Sequence, residues 1–296
     1  EKAVAFAADY DADLVYAKYW RPALEQLAAW DPANNAPLAR ATPMQELSRN
    51  VDPTLTIYIP TYRRVELGTL LKSIAEQWCD GIEVVVSDND PDGSAESVAA
   101  AILGDACEYS RRATNIGGDA NILRGATAGT GEYVWVVGDD DVLLPGAIAE
   151  TLRMIAADEP DRIVHFTPEA ARLVPRGHAG TMGTLIDSLG DDASLLIAAT
   201  LISANVYRRA CLDTKLGHEK IETYYGHVYA GLGAQRVRVA DEPLILCGAD
   251  HVGHIDNYLQ IYDDLLAAIA ERADRPPILL PNAMVWNFVN LILATR

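Results

Sequence analysis

Four short hydrophobic runs set the limits on what this chain can fold into. LTIYIP from Leu55, IEVVVSD from Ile82, CEYSRR from Cys107 and EYVWVV from Glu132 each run into a polar cluster. Between them lie stretches with the three-and-four spacing of helices: VELGTLLKSIAEQW, then SAESVAAAIL with Ser94 as its expected cap and Ser97 near its first turn, then GDANILRGATAG. The runs at Leu55, Ile82 and Glu132 are apolar over consecutive residues, not on alternate ones, and CEYSRR is a shorter, more polar strand. Strands of that kind alternating with helices predict an α/β fold, a mostly parallel sheet sandwiched by helices.

Ligands of such sheets gather at the carboxyl ends of the strands. Here those ends carry PTYRR after the first run, SDNDPD after the second and GDDD after the fourth. The last cluster is the most demanding. Three adjacent carboxylates repel one another and resist joint ionisation unless a positive charge sits among them. The run is therefore a solvated turn capping the helix expected from Pro145, or it holds a cation.

Composition narrows the partners. The 296 residues carry 24 Lys and Arg against 42 Asp and Glu, a net charge of −18. Such a surface repels nucleic acid and anionic membranes, so an anionic substrate must be met by a local device, a metal or a few arginines. No apolar run approaches the ~20 residues of a membrane span. The stretch EKAVAFAADYDAD lacks the basic-then-apolar order of a signal peptide. Cys79, Cys107, Cys211 and Cys247 form no CxxC pair, which argues against a zinc site or a disulfide scaffold. A cytoplasmic protein is expected.

Three parts are expected along the chain: a helical appendage over residues 1–52, a main domain over 53–255 that divides near 145, and C-terminal helices over 256–296. DADLVYAKYWRPALEQLAAW has helical spacing and is broken by DPANNAPLARATP. DRIVHFTP and ASLLIAATLISANVYRR hold further strand and helix material, and AQRVRVADEPLILCG reads as a closing strand pair. NYLQIYDDLLAAIAERA and AMVWNFVNLILAT read as helices, the latter apolar almost all round and expected to be buried or to face a second copy of the chain.

The order of the pieces resembles the family 2 glycosyltransferases of the GT-A fold, over roughly residues 55–255. The resemblance rests on IPTYRR, VVSDNDPDGS, NIGGDANILRGATAGTGEYVWVVGDDD, EPLILCG and a histidine soon after, in that order. It implies an inverting transferase that moves a sugar from a nucleoside-diphosphate-sugar to a hydroxyl of an acceptor, with Mg²⁺ or Mn²⁺ as cofactor. The leaving diphosphate gathers negative charge, and a divalent cation held by carboxylates offsets it. Hard cations of this kind take oxygen ligands, which Asp supplies.

The resemblance also implies roles. Aligned on DVLLPG, Asp140 stands at the aspartate that reaches the metal, with Asp139 or Asp141 assisting and Gly138 replacing the first aspartate of the motif. Asp88 matches the base-binding aspartate, and Asp90 is expected near the ribose. Pro60, Thr61, Tyr62 and Arg63 match the loop along the nucleobase, where an aromatic ring can stack. Asn115, Gly117 and Gly118 match a loop whose backbone approaches the nucleotide. Arg124, or Arg112, is expected to meet a phosphate. His251 matches a late histidine that completes the metal site, with His254 as its neighbour. Glu222 falls at the general base, with Asp213 and Glu219 as rivals. RLVPRGHAGTMGT reads as a mobile loop over the site.

Two other readings keep a parallel sheet. A nucleotide-sugar-binding module without turnover is motivated by Gly138. A sugar nucleotidyltransferase requires a glycine-rich, basic phosphate loop after the first strand, and IPTYRRVELG does not supply one. A dinucleotide oxidoreductase is excluded by the lack of GxGxxG at that place.

Overall fold

A computed structural model describes residues 47–50, 52–165, 179–181, 201–219 and 226–248. The expected N-terminal appendage and C-terminal helices lie outside them. In chain order the elements are β1 (Leu55–Thr61), α1 (Leu67–Ala75), β2 (Ile82–Asp88), α2 (Glu96–Leu103), β3 (Cys107–Arg111), α3 (Gly118–Leu123), β4 (Tyr133–Val136), β5 (Val142–Leu143), α4 (Ala147–Asp158), β6 (Arg162–Val164), β7 (Ala179–Gly180), β8 (Asn205–Arg208), α5 (Thr214–Glu219), α6 (Gly226–Ala230), β9 (Val237–Val239) and β10 (Ile245–Leu246).

The apolar strands are buried on both faces, as their composition requires. Leu55, Ile57, Ile59, Val84, Val86 and Trp135 face a core shared with α1, α2 and α4. The alternate residues Tyr58, Val85, Val134 and Val136 face a second core with Ile122 of α3 and Tyr207 of β8. The main sheet has the order β3-β2-β1-β4-β8-β6-β9-β7. Strands β3, β2, β1 and β4 are mutually parallel. Strand β8 then enters antiparallel to both β4 and β6, so the sheet is mixed beyond β4.

Three local expectations change. Ser94 is not the cap of α2. The helix starts at Glu96 after Ala95, whose N–H donates to Asp88 Oδ2 at 2.9 Å. The expected third helix ends at Leu123 and tightens into a 3₁₀ turn over Arg124–Ala126. The closing strands do not pair with each other: β9 joins the main sheet beside β6, whereas β10 pairs with β5 in a separate two-stranded ribbon. All four cysteines are free thiols. Among the described residues no helix is long and apolar enough to cross a membrane.

Candidate active site

The chain runs from β1 outward to β2 and β3, then returns to place β4 on the other side of β1. Strand order reverses there, and open α/β sheets bind ligands in the crevice at such a point. Register shapes this one. Thr61, Asp88 and Arg111 end their strands in one row. The ladder of β4 stops earlier, with Val136 opposite Tyr58. The chain then turns through Gly138–Asp141, closed by the Asp141 N–H on Gly138 O at 3.1 Å. The acidic turn thus stands beside the loop that leaves β1.

At the end of β2 three consecutive side chains each hold a different segment. Asp88 is fully buried. Its Oδ1 accepts the Asp90 N–H at 2.9 Å, and its Oδ2 accepts the Ala95 N–H and the Tyr109 hydroxyl at 2.9 and 2.8 Å. Burial, with the Asp88 charge added, pushes the Tyr109 phenol up, so Tyr109 remains a donor. Asn89 donates to Asn115 Oδ1 at 2.7 Å and Gly117 O at 3.2 Å, and accepts the Ile116 N–H at 3.0 Å. Its own N–H reaches Thr61 O at 2.8 Å. Asp90 takes Arg63 through two bonds, Nε to Oδ2 at 2.9 Å and Nη2 to Oδ1 at 3.1 Å. That guanidinium holds the Asp90 carboxyl down at about 2.

The loop after β1 is set by the same pair. Arg63 sits at φ +54°, in the left-handed region. Its guanidinium reaches Asp90 and Asp92 and lies 5.3 Å from the centre of the Tyr62 ring. Tyr62 is 43% exposed, an aromatic face open to a ligand. Pro60 is half-buried and Thr61 buried. Asn115 accepts the Gly117 N–H at 2.8 Å, and this turn leads into Gly118, the exposed first residue of α3. Arg124 is exposed on the 3₁₀ turn beyond α3. Arg112 follows β3, and its Nη2 touches Ser110.

The three aspartates of the turn have different surroundings. Asp139 is buried, with Arg64 Nε 3.5 Å from its Oδ1. Burial, reinforced by the charge of Asp140 and opposed by Arg64, raises its carboxyl to about 6. Asp141 accepts the Gly248 N–H at 2.9 Å on Oδ1 and the Ser203 hydroxyl on Oδ2. Asp140 is half-buried, and no hydrogen bond or ion pair engages its carboxylate among the described residues. It is flanked by Gly138 and Gly248, at both of which a Cβ would press on its carboxylate.

Residues 56–178 match the sequence profile of glycosyl transferase family 2. A curated relative, abequosyltransferase RfbV of Salmonella typhimurium, is 35% identical over 106 residues, covering 32% of this chain and 30% of the relative. Among solved structures, TarS of S. aureus superposes with a TM-score of 0.52 at 20% identity, covering 74% of this chain and 43% of TarS. TarS 1–349 in complex with UDP superposes with a TM-score of 0.50 at 18% identity, covering 74% and 70%. The chain thus spans less than half the length of the full TarS chain and under a third of the curated relative. These likenesses give the fold: it is that of the GT-A glycosyltransferases.

The fold brings Thr61, Tyr62 and Arg63, the Asp88–Asp90 triplet, Asn115, Gly118 and Asp139–Asp141 to one edge of the sheet. Glu222, His251 and His254 lie outside the described residues, as does the expected loop RLVPRGHAGTMGT apart from Ala179–Thr181. Of the rivals to Glu222, Asp213 accepts the Leu216 N–H at 3.0 Å at the start of α5, and Glu219 faces Lys215 across one helical turn at 3.8 Å. The donor set fits a hard dication. Asp140 offers carboxylate oxygens, and the raised Asp139 carboxyl is relieved by a nearby positive charge. Among the described residues no group of three or more His, Cys, Asp or Glu can hold a metal ion. A cation at Asp140 would therefore take its remaining ligands from substrate phosphate and water, as Mg²⁺ commonly does.

Three residues escape a reading of the sequence. Asn89 joins the loops after β1 and β3, and its signal is a polar side chain directly beyond a buried strand. Arg64, the second of the RR pair, is the cation that faces Asp139. Ser203 accepts the Gly138 N–H at 2.8 Å from 65 residues away in sequence, and nothing local marks it.

Proposed function

We propose that this chain is a metal-dependent, inverting glycosyltransferase that moves a sugar from a nucleoside-diphosphate-sugar to an acceptor hydroxyl. The observation that carries this reading is Asp140, whose carboxylate has no protein partner among the described residues, at the reversal of strand order and one residue from an aspartate facing an arginine. Tyr62, open and braced by Arg63, stacks on the base. Arg64 brings positive charge to the diphosphate end of the crevice. Asp140 holds the cation, with Asp139 beside it. When bound, a divalent ion offsets the charge that gathers on the departing diphosphate.

Glu222 is assigned as the general base that removes the acceptor proton, a step worth roughly 10²–10⁴-fold in rate. Its carboxylate takes the hydroxyl proton while the acceptor oxygen forms the new bond to the anomeric carbon. The bond from that carbon to the diphosphate breaks on the opposite face, which inverts the configuration. Asp88 and Asn89 are assigned to holding the loops around the nucleotide. Four free thiols favour a cytoplasmic setting.

The test is donor hydrolysis and transfer. Wild-type protein incubated with UDP-, GDP-, CDP- and dTDP-sugars should release a nucleoside diphosphate from at least one, and EDTA should stop it. Release that proceeds equally with EDTA removes the metal from the account; no release from any donor, with or without glycan acceptors, removes the activity.

A further inference from the structure

The third aspartate of the turn stands apart from its neighbours. Asp141 is 6% exposed, and both of its oxygens serve protein donors. Oδ1 accepts the N–H of Gly248, 107 residues away in sequence, and Oδ2 accepts the hydroxyl of Ser203, 62 residues away. Ser203 Oγ in turn accepts the Gly138 N–H at 2.8 Å, and Asp141 N–H returns to Gly138 O at 3.1 Å. The result is a closed ring: Gly138 to Ser203, Ser203 to Asp141, Asp141 back to Gly138. Asp140 sits inside that ring's span, with Gly248 drawn against it by the remaining oxygen of Asp141.

We propose that Asp141 is the positioning residue of the acidic turn, binding Ser203 and Gly248 so that Asp140 is held ready, and that it does not ligate the cation. The proposal rests on the reading of Asp140 as the metal carboxylate. The same three-acid run leaves two aspartates able to claim a metal role, and hydrogen bonding separates them. A carboxylate accepting a backbone N–H and a hydroxyl is spent on fixing the chain, and a neighbour without protein partners is the one with oxygens to offer.

The test compares two variants that remove the same charge one residue apart. Mn²⁺ uptake is followed by electron paramagnetic resonance in a mixture of UDP, GDP, CDP and dTDP, for wild type, D140N, D141N, D141A and S203A. Asparagine at 141 keeps the ring, its carbonyl accepting Gly248 N–H and its amide donating to Ser203 Oγ. D141N should therefore hold Mn²⁺ within about threefold of wild type, and D140N should lose it. D141A should weaken Mn²⁺ by about 10–100-fold, the usual cost of removing an outer partner of a metal site, and S203A should follow in the same direction. Exchange of the Gly248 amide should quicken in D141A and not in D141N. Loss of Mn²⁺ in D141N equal to that in D140N makes Asp141 a ligand and overturns the proposal. Wild-type uptake in D141A overturns it as well. A wild-type protein that takes up no Mn²⁺ sinks the reading of the site itself and this assignment with it.

Discussion

Gly248 lies against Asp140 with no room for a side chain: a Cβ there would stand 2.6 Å from Asp140 Cγ and 2.5 Å from its carbonyl oxygen. Backbone atoms meet at that point, so a larger residue cannot be absorbed by turning a flexible tip. G248A should shift the acidic turn, cost about 1–3 kcal/mol as an overpacked site, and weaken Mn²⁺ binding. Denaturant melts and Mn²⁺ titration on the same sample check both. Unchanged metal affinity would separate Gly248 from the site.

Arg63 and Asp90 brace the open ring of Tyr62, and the arginine side chain is 55% exposed. Exposed pairs contribute little to stability, so R63A should change the melting temperature little. Nucleotide affinity should fall more, by about fivefold, because the loop no longer presents Tyr62. Calorimetric titration with the nucleotide that wild type binds measures this, and a loss of stability without loss of affinity would make the pair merely structural.

Arg209 ties the loop before β4 to the amino edge of the sheet. Its guanidinium donates to Gly131 O, Gly125 O, Ala126 O, Ala128 O and Thr56 Oγ1 at 2.5–3.0 Å. R209A leaves four carbonyls without that donor, and should destabilise by about 3 kcal/mol or more while leaving Mn²⁺ affinity intact in the folded fraction. Equal losses of both would place this loop in the site.

Acid sensitivity should come from two buried histidines. His165 packs on Trp135 with ring centroids 4.6 Å apart, and its Nε2 meets Thr151 Oγ1 at 3.1 Å. Burial lowers both His165 and His227 to about 3. An unfolded imidazole titrates near 6.5, so between those values the unfolded chain binds more protons than the folded one. Stability is thus complete above about 6.5 and is lost as pH falls, by up to ~1.4 kcal/mol per pH unit for each histidine. H165Q should flatten the slope of stability between pH 5 and 6.5 by about one proton. A slope unchanged by the substitution would assign the acid loss elsewhere.

The parallel half of the fold was legible because its strands are long, apolar and separated by helices of clear period. Strand β8 was not, since NVYR is short and mixed and pairs with β4 across 68 intervening residues, 137–204. The β5–β10 ribbon has two residues per strand, below any periodic signal. At the site, residue types were readable and their tasks were not. The resemblance matched Asp88 to the base-binding aspartate, yet a turn folds back over it and Tyr109 reaches it from the next strand. The resemblance gave Asp141 an assisting role beside Asp140, and only partners 62 and 107 residues away reveal what its carboxylate holds.

The central claim is that Asp140 holds a cation shared with a diphosphate, and calorimetry tests it most directly. Wild type and D140N are each titrated with UDP, GDP, CDP and dTDP, once with Mn²⁺ and once with EDTA. At least one nucleotide should bind wild type, with Mn²⁺ tightening it by about tenfold or more, and D140N should bind equally weakly with or without the metal. Binding to wild type that ignores Mn²⁺, or a D140N protein that still responds to it, would contradict the account.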